Sequence, residues 1–338
     1  AYPDRHIEVV NTAITAINSH TLRDFAPQIL RQGPDAVLIY AGHNEFYGAN
    51  GVGSNERARR STALTRLQYK LMDLRFYQVL SGIASGKKDP ELKGTLMKRM
   101  VASPDIALDG EAYAVAMSRY RENMEVILKE FRQEGIQVII SEVVSNVKDL
   151  KPFSAVSGGK DDEAWGAFRA GRQAYAQGEY EMAREHFYQA KALDGVRFRA
   201  TEEVNEIIRD LQLKNECLLV PMLAAFEAES PHGIIGRELM TEHVHPNIRG
   251  SFLMADAFYK ELVESRLLGD PASPTYSSSY YLRNWGYTPL DSLLAHHRIA
   301  SLETNWPFRP PDAPLEDYRK TYKPVSVPDS LAFVTMAD

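Results

Sequence analysis

The chain alternates short apolar runs with longer stretches in which apolar residues return every three or four positions. Residues 36–41, Ala-Val-Leu-Ile-Tyr-Ala, are apolar without interruption, the pattern of a strand covered on both faces. Ile7-Glu8-Val9-Val10-Asn11 predicts a short β-branched strand, residues 136–142 a second buried strand, and residues 217–220 a last short one. The period is helical over 20–32, where Leu22, Phe25, Ile29 and Leu30 share a stripe that Gly33-Pro34 stops. It is helical again over 111–134, ended by Gly135, and over 201–213, opened by Thr201 with Glu202 and Glu203 in the first turn. Residues 222–229 and 247–267 complete the predicted helices. Strand, loop, helix, strand is the order of a βαβ unit with a right-handed crossover, so the pattern predicts an α/β fold on a parallel sheet.

Three segments depart from this alternation. Residues 54–110 carry no strand pattern, and Leu64, Leu67, Leu71, Leu74 and Val79 form a helical stripe, which predicts a helical insertion. In residues 160–195 small residues alternate with aromatics: Ala170, Gly171, Ala174, Gly178, Tyr180, Ala183, Phe187, Ala190 and Leu193. Their spacing resembles one tetratricopeptide repeat turning at Gln177-Gly178-Glu179, although Ala167 and Ala174 hold the repeat's usual Trp and Tyr positions. A single repeat cannot bury its own face, so this hairpin is expected to pack on the main domain. From Gly269 onward the chain is rich in proline, tyrosine and serine, which predicts extended chain wrapped over the core and pinned by aromatics, or alternatively a partner-binding arm. The expected organisation is one domain over 1–268 carrying both insertions, followed by an extension over 269–338.

Composition narrows the function classes. With 338 residues, 44% of them hydrophobic and 25% charged, the chain can bury one large core with insertions or two domains. A net charge of −6 and no long basic run argue against a nucleic-acid partner. No apolar run approaches the ~18 residues of a membrane span. Cys217, the single cysteine, excludes an intrachain disulfide and reads as a buried strand thiol. The chain opens on Ala1-Tyr2-Pro3-Asp4 with no signal peptide, and the expectation is that further chain precedes it.

Two polar clusters could carry chemistry. Gly42 lets the backbone turn after the 36–41 strand and delivers His43, Asn44 and Glu45 at its carboxyl end, where ligands bind in open α/β sheets. The Asn44 amide could donate to a developing oxyanion, or could simply suit a turn. Residues 46–55, small and polar around Tyr47, would form a lip. The loop after the first strand could add a backbone donor near Ala13. The second cluster is Thr241-Glu242-His243-Val244-His245-Pro246-Asn247, before the closing helix. Glu242, three residues before His245, can reach the imidazole and fix its tautomer, which makes His245 a candidate general base. His243 and His245 form a His-x-His pair, but no third ligand stands nearby and no metal site is expected. His296-His297 reads as a solvated helix end.

Together these residues resemble the SGNH/GDSL hydrolase superfamily, whose members carry a Ser in a first block, a Gly in a second, an Asn in a third and an Asp-x-x-His in the last. Gly42-His43-Asn44-Glu45 looks like the third block, Glu242-x-x-His245-Pro246 like the last, and Val10-Asn11-Thr12-Ala13 like the second. Residues 7–54 are similar to a bacterial subgroup with tetratricopeptide-like repeats, and the resemblance covers about residues 5–267. Ala13 replaces the block-two Gly but keeps a backbone N–H, and Glu replaces Asp at 45 and 242. The first block is not found, so the nucleophilic Ser is expected upstream of residue 1; Ser19 and Ser54 do not stand in its place.

The resemblance implies a flavodoxin-like three-layer α/β/α sandwich and a serine esterase acting on an acylated small molecule or a carbohydrate O-acetyl group. It implies His245 and Glu242 as base and orienting acid, Asn44 and the Ala13 amide as oxyanion donors, and Gly42, His43, Glu45 and Tyr47 as substrate-binding residues. No cofactor is implied. Family habit implies a periplasmic or extracellular location, with anchoring through an N-terminal segment. The competing reading is a catalytically inactive SGNH-like scaffold that binds a protein partner or itself through 160–195 and 269–338.

Overall fold

A computed structural model describes residue 2 and residues 5–54, 101–102, 105–156, 163–270, 277–310, 313–314 and 316–336. Most of the insertion expected at 54–110 lies outside the described residues. In chain order the elements are α1 (Ser19–Leu30), β1 (Ala36–Ile39), α2 (Glu111–Gln133), β2 (Gln137–Ser141), α3 (Phe153–Val156), α4 (Glu163–Ala176), α5 (Tyr180–Leu193) and α6 (Glu202–Asn215). They continue with β3 (Leu218–Val220), α7 (Met222–Glu229), a 3-10 turn (Pro231–Gly233), α8 (Ile248–Glu264), α9 (Ser278–Asn284), α10 (Pro289–Glu303), α11 (Tyr318–Thr321) and α12 (Val327–Thr335). The fold is therefore mixed α/β. The chain divides into two compact units, the first made of residues 15–143 and 192–217, the second of residues 1–14, 144–191 and 218–338.

In the first unit β1 and β2 run parallel, from Ala36 opposite Gln137 to Ile39 opposite Ile140. Parallel neighbours need a long crossover, and α2 lies in it. The buried stripe of α2, Tyr113, Ala116, Met117, Tyr120, Met124, Ile127, Leu128 and Phe131, returns every three to four residues. It packs with α1 and α6, the latter contributing Val204, Ile207, Ile208 and Leu211. Each buried Val, Leu, Ile, Phe or Met side chain here contributes ~1.5–3 kcal/mol by leaving water. Gly135, at φ +72°, ends the α2 segment in a conformation that costs glycine little. Cys217 is buried, and desolvation pushes its thiol up to about 11, which suits the packing role read from sequence.

Two strand expectations fail. The 36–41 run forms only a four-residue strand, and Leu38 is 48% exposed beside an 8% exposed Ile39, so β1 is not covered on both faces. Residues 7–11 form no strand, with Val9 at 88% and Val10 at 71% exposure. β-Branched runs state a preference for a pleated surface, but a strand exists only where a neighbour pairs its backbone.

In the second unit α4 and α5 form the hairpin at the predicted place, with Gly178 at φ +82° in the turn. Phe168 and Phe187 pack at 5.5 Å between ring centroids. A Cβ on Gly171 would lie 2.9 Å from the Phe187 ring, which explains why small residues face aromatics here. Among the described residues after 269 the chain is not extended but largely helical. A Thr288–Asp291 capping box opens α10, which packs on α12. Nor is His297 a solvated end. It lies inside α10 at 0% exposure, with Nε2 2.8 Å from Asp329 and Nδ1 2.9 Å from the Tyr318 hydroxyl. Its neighbour His296 is exposed. Among the described residues no helix is long and apolar enough to cross a membrane.

Candidate functional site

The second unit presents the Glu242–His245 turn. An antiparallel bridge between Met240 and Pro246 and the bond from Thr241 N–H to the His245 carbonyl, 2.8 Å, close residues 240–246 into a tight loop. Asn247 then caps α8 through its side chain, which accepts the Gly250 N–H at 3.0 Å. Glu242 is 1% exposed and accepts the backbone N–H groups of His243 at 2.6 Å and His245 at 2.8 Å. Its Oε1 also engages His245 Nδ1. With Nδ1 turned to a carboxylate, the neutral ring carries its proton there and presents its lone pair on Nε2. The His245 side chain is 68% exposed, yet the atoms around it lower its pKa from the ordinary histidine value by desolvation.

His243 turns its Nδ1 to the same carboxylate, at Oε2, but does so from the interior. It is 4% exposed, its ring sits 5.5 Å from Phe153 and 5.7 Å from Phe308, and its carbonyl accepts the Asn146 N–H at 2.9 Å. The His-x-His pair is therefore split between interior and surface. Among the described residues no group of three His, Cys, Asp or Glu side chains is placed to hold a metal ion.

The first unit presents the turn after β1. Gly42 has φ +152°, and a Cβ there would come 2.6 Å from Val204 Cγ1. The Asn44 side chain is half-buried and donates from Nδ2 to the Ile17 carbonyl at 3.1 Å. The other residues of the turn face inward. His43 Nδ1 accepts the Ala200 N–H at 3.1 Å. Glu45 is 4% exposed with both oxygens bonded to Ser19. Tyr47 is buried, its hydroxyl accepts the Arg197 N–H at 3.0 Å, and burial pushes its pKa well up. The structure thus brings Gly42, His43, Asn44, Glu45 and Tyr47 together on one turn. Ala13 lies in the second unit, exposed, its N–H donating to Asn11 Oδ1 at 2.9 Å.

No family model and no curated protein matches the chain.

Two buried polar groups in the first unit escaped the sequence reading. Asn123 joins Ser19, His20 and Arg23, its amide donating to Ser19 Oγ at 3.0 Å and its carbonyl accepting from Arg23 at 2.9 Å. A signal existed, since Asn123 falls on the buried stripe of α2, where an amide must find partners. Arg199 pairs with Asp194 at 3.0 Å with both side chains buried, and Arg197 stacks over Tyr113 at 5.3 Å while donating to the Ile106 carbonyl. Residues 194–201 have no period that would have marked them.

Glu45 makes a prediction about pH. Burial pushes its carboxyl from 4.5 up to about 7, against the opposing pull of the Ser19 donors. A folded-state pKa above the unfolded value means that the folded protein holds the proton more tightly. The contribution of Glu45 is therefore complete below pH ~4.5 and is lost as pH rises through ~7, by at most about 3 kcal/mol. Chemical denaturation of wild type and Glu45→Gln from pH 4.5 to 8 should show the wild type losing stability relative to the variant over that window. A constant difference across the window would refute the raised pKa.

Proposed function

We propose that the protein is a serine ester hydrolase of the SGNH/GDSL type, with the flavodoxin-like sandwich of that type. The observation that carries the reading is the buried Glu242 carboxylate engaging Nδ1 of a surface-exposed His245. In the proposed cycle Nε2 of His245 takes the proton of a serine hydroxyl as its oxygen attacks the ester carbonyl. Glu242 stabilises the imidazolium that forms. The imidazolium then protonates the departing alkoxide, and a water attacks the acyl-enzyme with His245 again as base. The serine comes from the family's first block upstream of residue 1, and Asn44 and Ala13 serve as oxyanion donors; both parts rest on the resemblance alone. Acylated small molecules and O-acetylated carbohydrates are the proposed substrates, and a periplasmic or extracellular site, with an N-terminal anchor, the proposed location.

The test uses the protein isolated from its native source, with a panel of acetyl esters and a fluorophosphonate probe. Turnover with stoichiometric labelling of one serine is expected. If neither occurs, the hydrolase reading falls and the scaffold reading replaces it. That second reading draws on one feature of α12: Val327, Leu331 and Val334 stand on one stripe at 83%, 54% and 64% exposure, an apolar helix face turned to solvent.

A further inference from the structure

We infer that Glu45 and Ser19 form a latch that holds Asn44 in place, acting as positioning residues rather than substrate contacts; the catalytic part of this inference rests on the oxyanion role proposed for Asn44. The loop before α1 and the turn after β1 are tied together along their length. Asn44 Nδ2 donates to the Ile17 carbonyl at 3.1 Å, and Asn18 Nδ2 donates to the Ala49 carbonyl at 2.9 Å. Between them Ser19 gives its N–H to Glu45 Oε1 at 2.9 Å and its hydroxyl to Oε2 at 2.6 Å. A Cβ on Gly48 would lie 2.9 Å from Asn18, so the two segments approach too closely for a side chain there.

Ser19 is the first residue of α1, and its N–H is one of the donors that a helix leaves unpaired at its start, so a carboxylate suits it. The far side of the latch is fixed to α2. Asn123 donates to Ser19 Oγ at 3.0 Å and accepts from Arg23 at 2.9 Å. Neither Glu45, at 4% exposure, nor Ser19, at 0%, can meet a ligand at the surface. Their neighbour Asn44 is half-buried, and with one amide N–H spent on Ile17 the plane of its amide is set and the direction of the second N–H with it. A donor set before the oxyanion forms costs no reorganisation when it does.

The experiment measures hydrogen–deuterium exchange across residues 42–54 together with ester kinetics, in full-length wild type, Ser19→Ala and Glu45→Gln. Glu45→Gln keeps the size of the side chain and guards against a simple folding failure. Ser19→Ala should raise exchange in 44–54 by ~10-fold or more, because the opening free energy of that segment falls. It should lower kcat by ~10–100-fold with KM within about twofold, the signature of a displaced transition-state donor. Glu45→Gln should show smaller changes of the same sign. Unchanged exchange in both variants overturns the latch, whatever the kinetics. Raised exchange with unchanged kcat instead overturns the catalytic role of Asn44 and leaves the latch standing.

Discussion

His245→Ala should abolish ester hydrolysis while leaving the fold intact. Removing the base of a serine hydrolase costs ~10⁴–10⁶-fold in kcat, because the hydroxyl then attacks without a proton acceptor. The stability cost should stay within about 0.5 kcal/mol, since the side chain is 68% exposed and holds no core position. Glu242→Ala should behave differently. It should cost ~10³–10⁴-fold in kcat through loss of the tautomer and of the imidazolium's counter-charge. It also strips a buried acceptor from the His243 and His245 N–H groups, each worth ~1–3 kcal/mol when left unpaired. The pair of results, measured as kcat/KM and as urea denaturation, separates a catalytic dyad from a structural turn. Hydrolysis within tenfold of wild type in His245→Ala would sink the assignment. Equal destabilisation by both substitutions would do the same for the division of roles.

Gly42→Ala should destabilise the protein by about 2–4 kcal/mol, through both overpacking and a backbone that alanine resists. At φ +152° the new Cβ would meet Val204 Cγ1 at 2.6 Å, the Tyr120 hydroxyl at 3.5 Å and Val143 at 3.6 Å. None of these can yield easily. Val204 and Tyr120 are both 0% exposed, and the Tyr120 hydroxyl is held by the Ala41 carbonyl at 2.9 Å. The backbone of the turn must move instead, carrying Asn44 with it. Adding Val204→Ala removes the closest clash, so the double variant should be more stable than the sum of the single costs predicts. Strict additivity in a denaturation cycle would mean that contact with Val204 is not what excludes a side chain at 42.

The Glu242–His245 pair was legible because its spacing is local. Three residues in a tight loop bring a carboxylate to an imidazole almost regardless of the surroundings, and Pro246 and Asn247 mark where the loop ends and α8 begins. Asn44 was placed at the end of a strand for the same reason. What its neighbours do was not legible. Glu45 looked like a residue offered to a ligand, yet it faces Ser19, 26 positions earlier, and the Asn123 that backs Ser19 lies 104 positions from it.

The amino-acid sequence by itself determined the amphipathic helices over 111–133 and 202–215, since an apolar stripe of period 3.6 is a property of the segment that carries it. It did not give the helices after 277, nor the face of α1, which buries Ser19, His20, Arg23 and Ala26 rather than the expected stripe of Leu22, Phe25, Ile29 and Leu30. The 163–193 hairpin belongs to the same class, its glycine and alanine positions being set by the aromatics one helix away. Strand pairing and the paths of polar side chains were decided only in three dimensions. Residues 7–11 and 36–41 had strand-forming side chains alike, and pairing with β2 made a strand of part of the second alone. His297 read as a surface residue until Asp329, 32 positions on, and Tyr318 closed over it. A hydrogen bond or a ladder needs a partner at a fixed distance, and partners remote in sequence are supplied only by the folded chain.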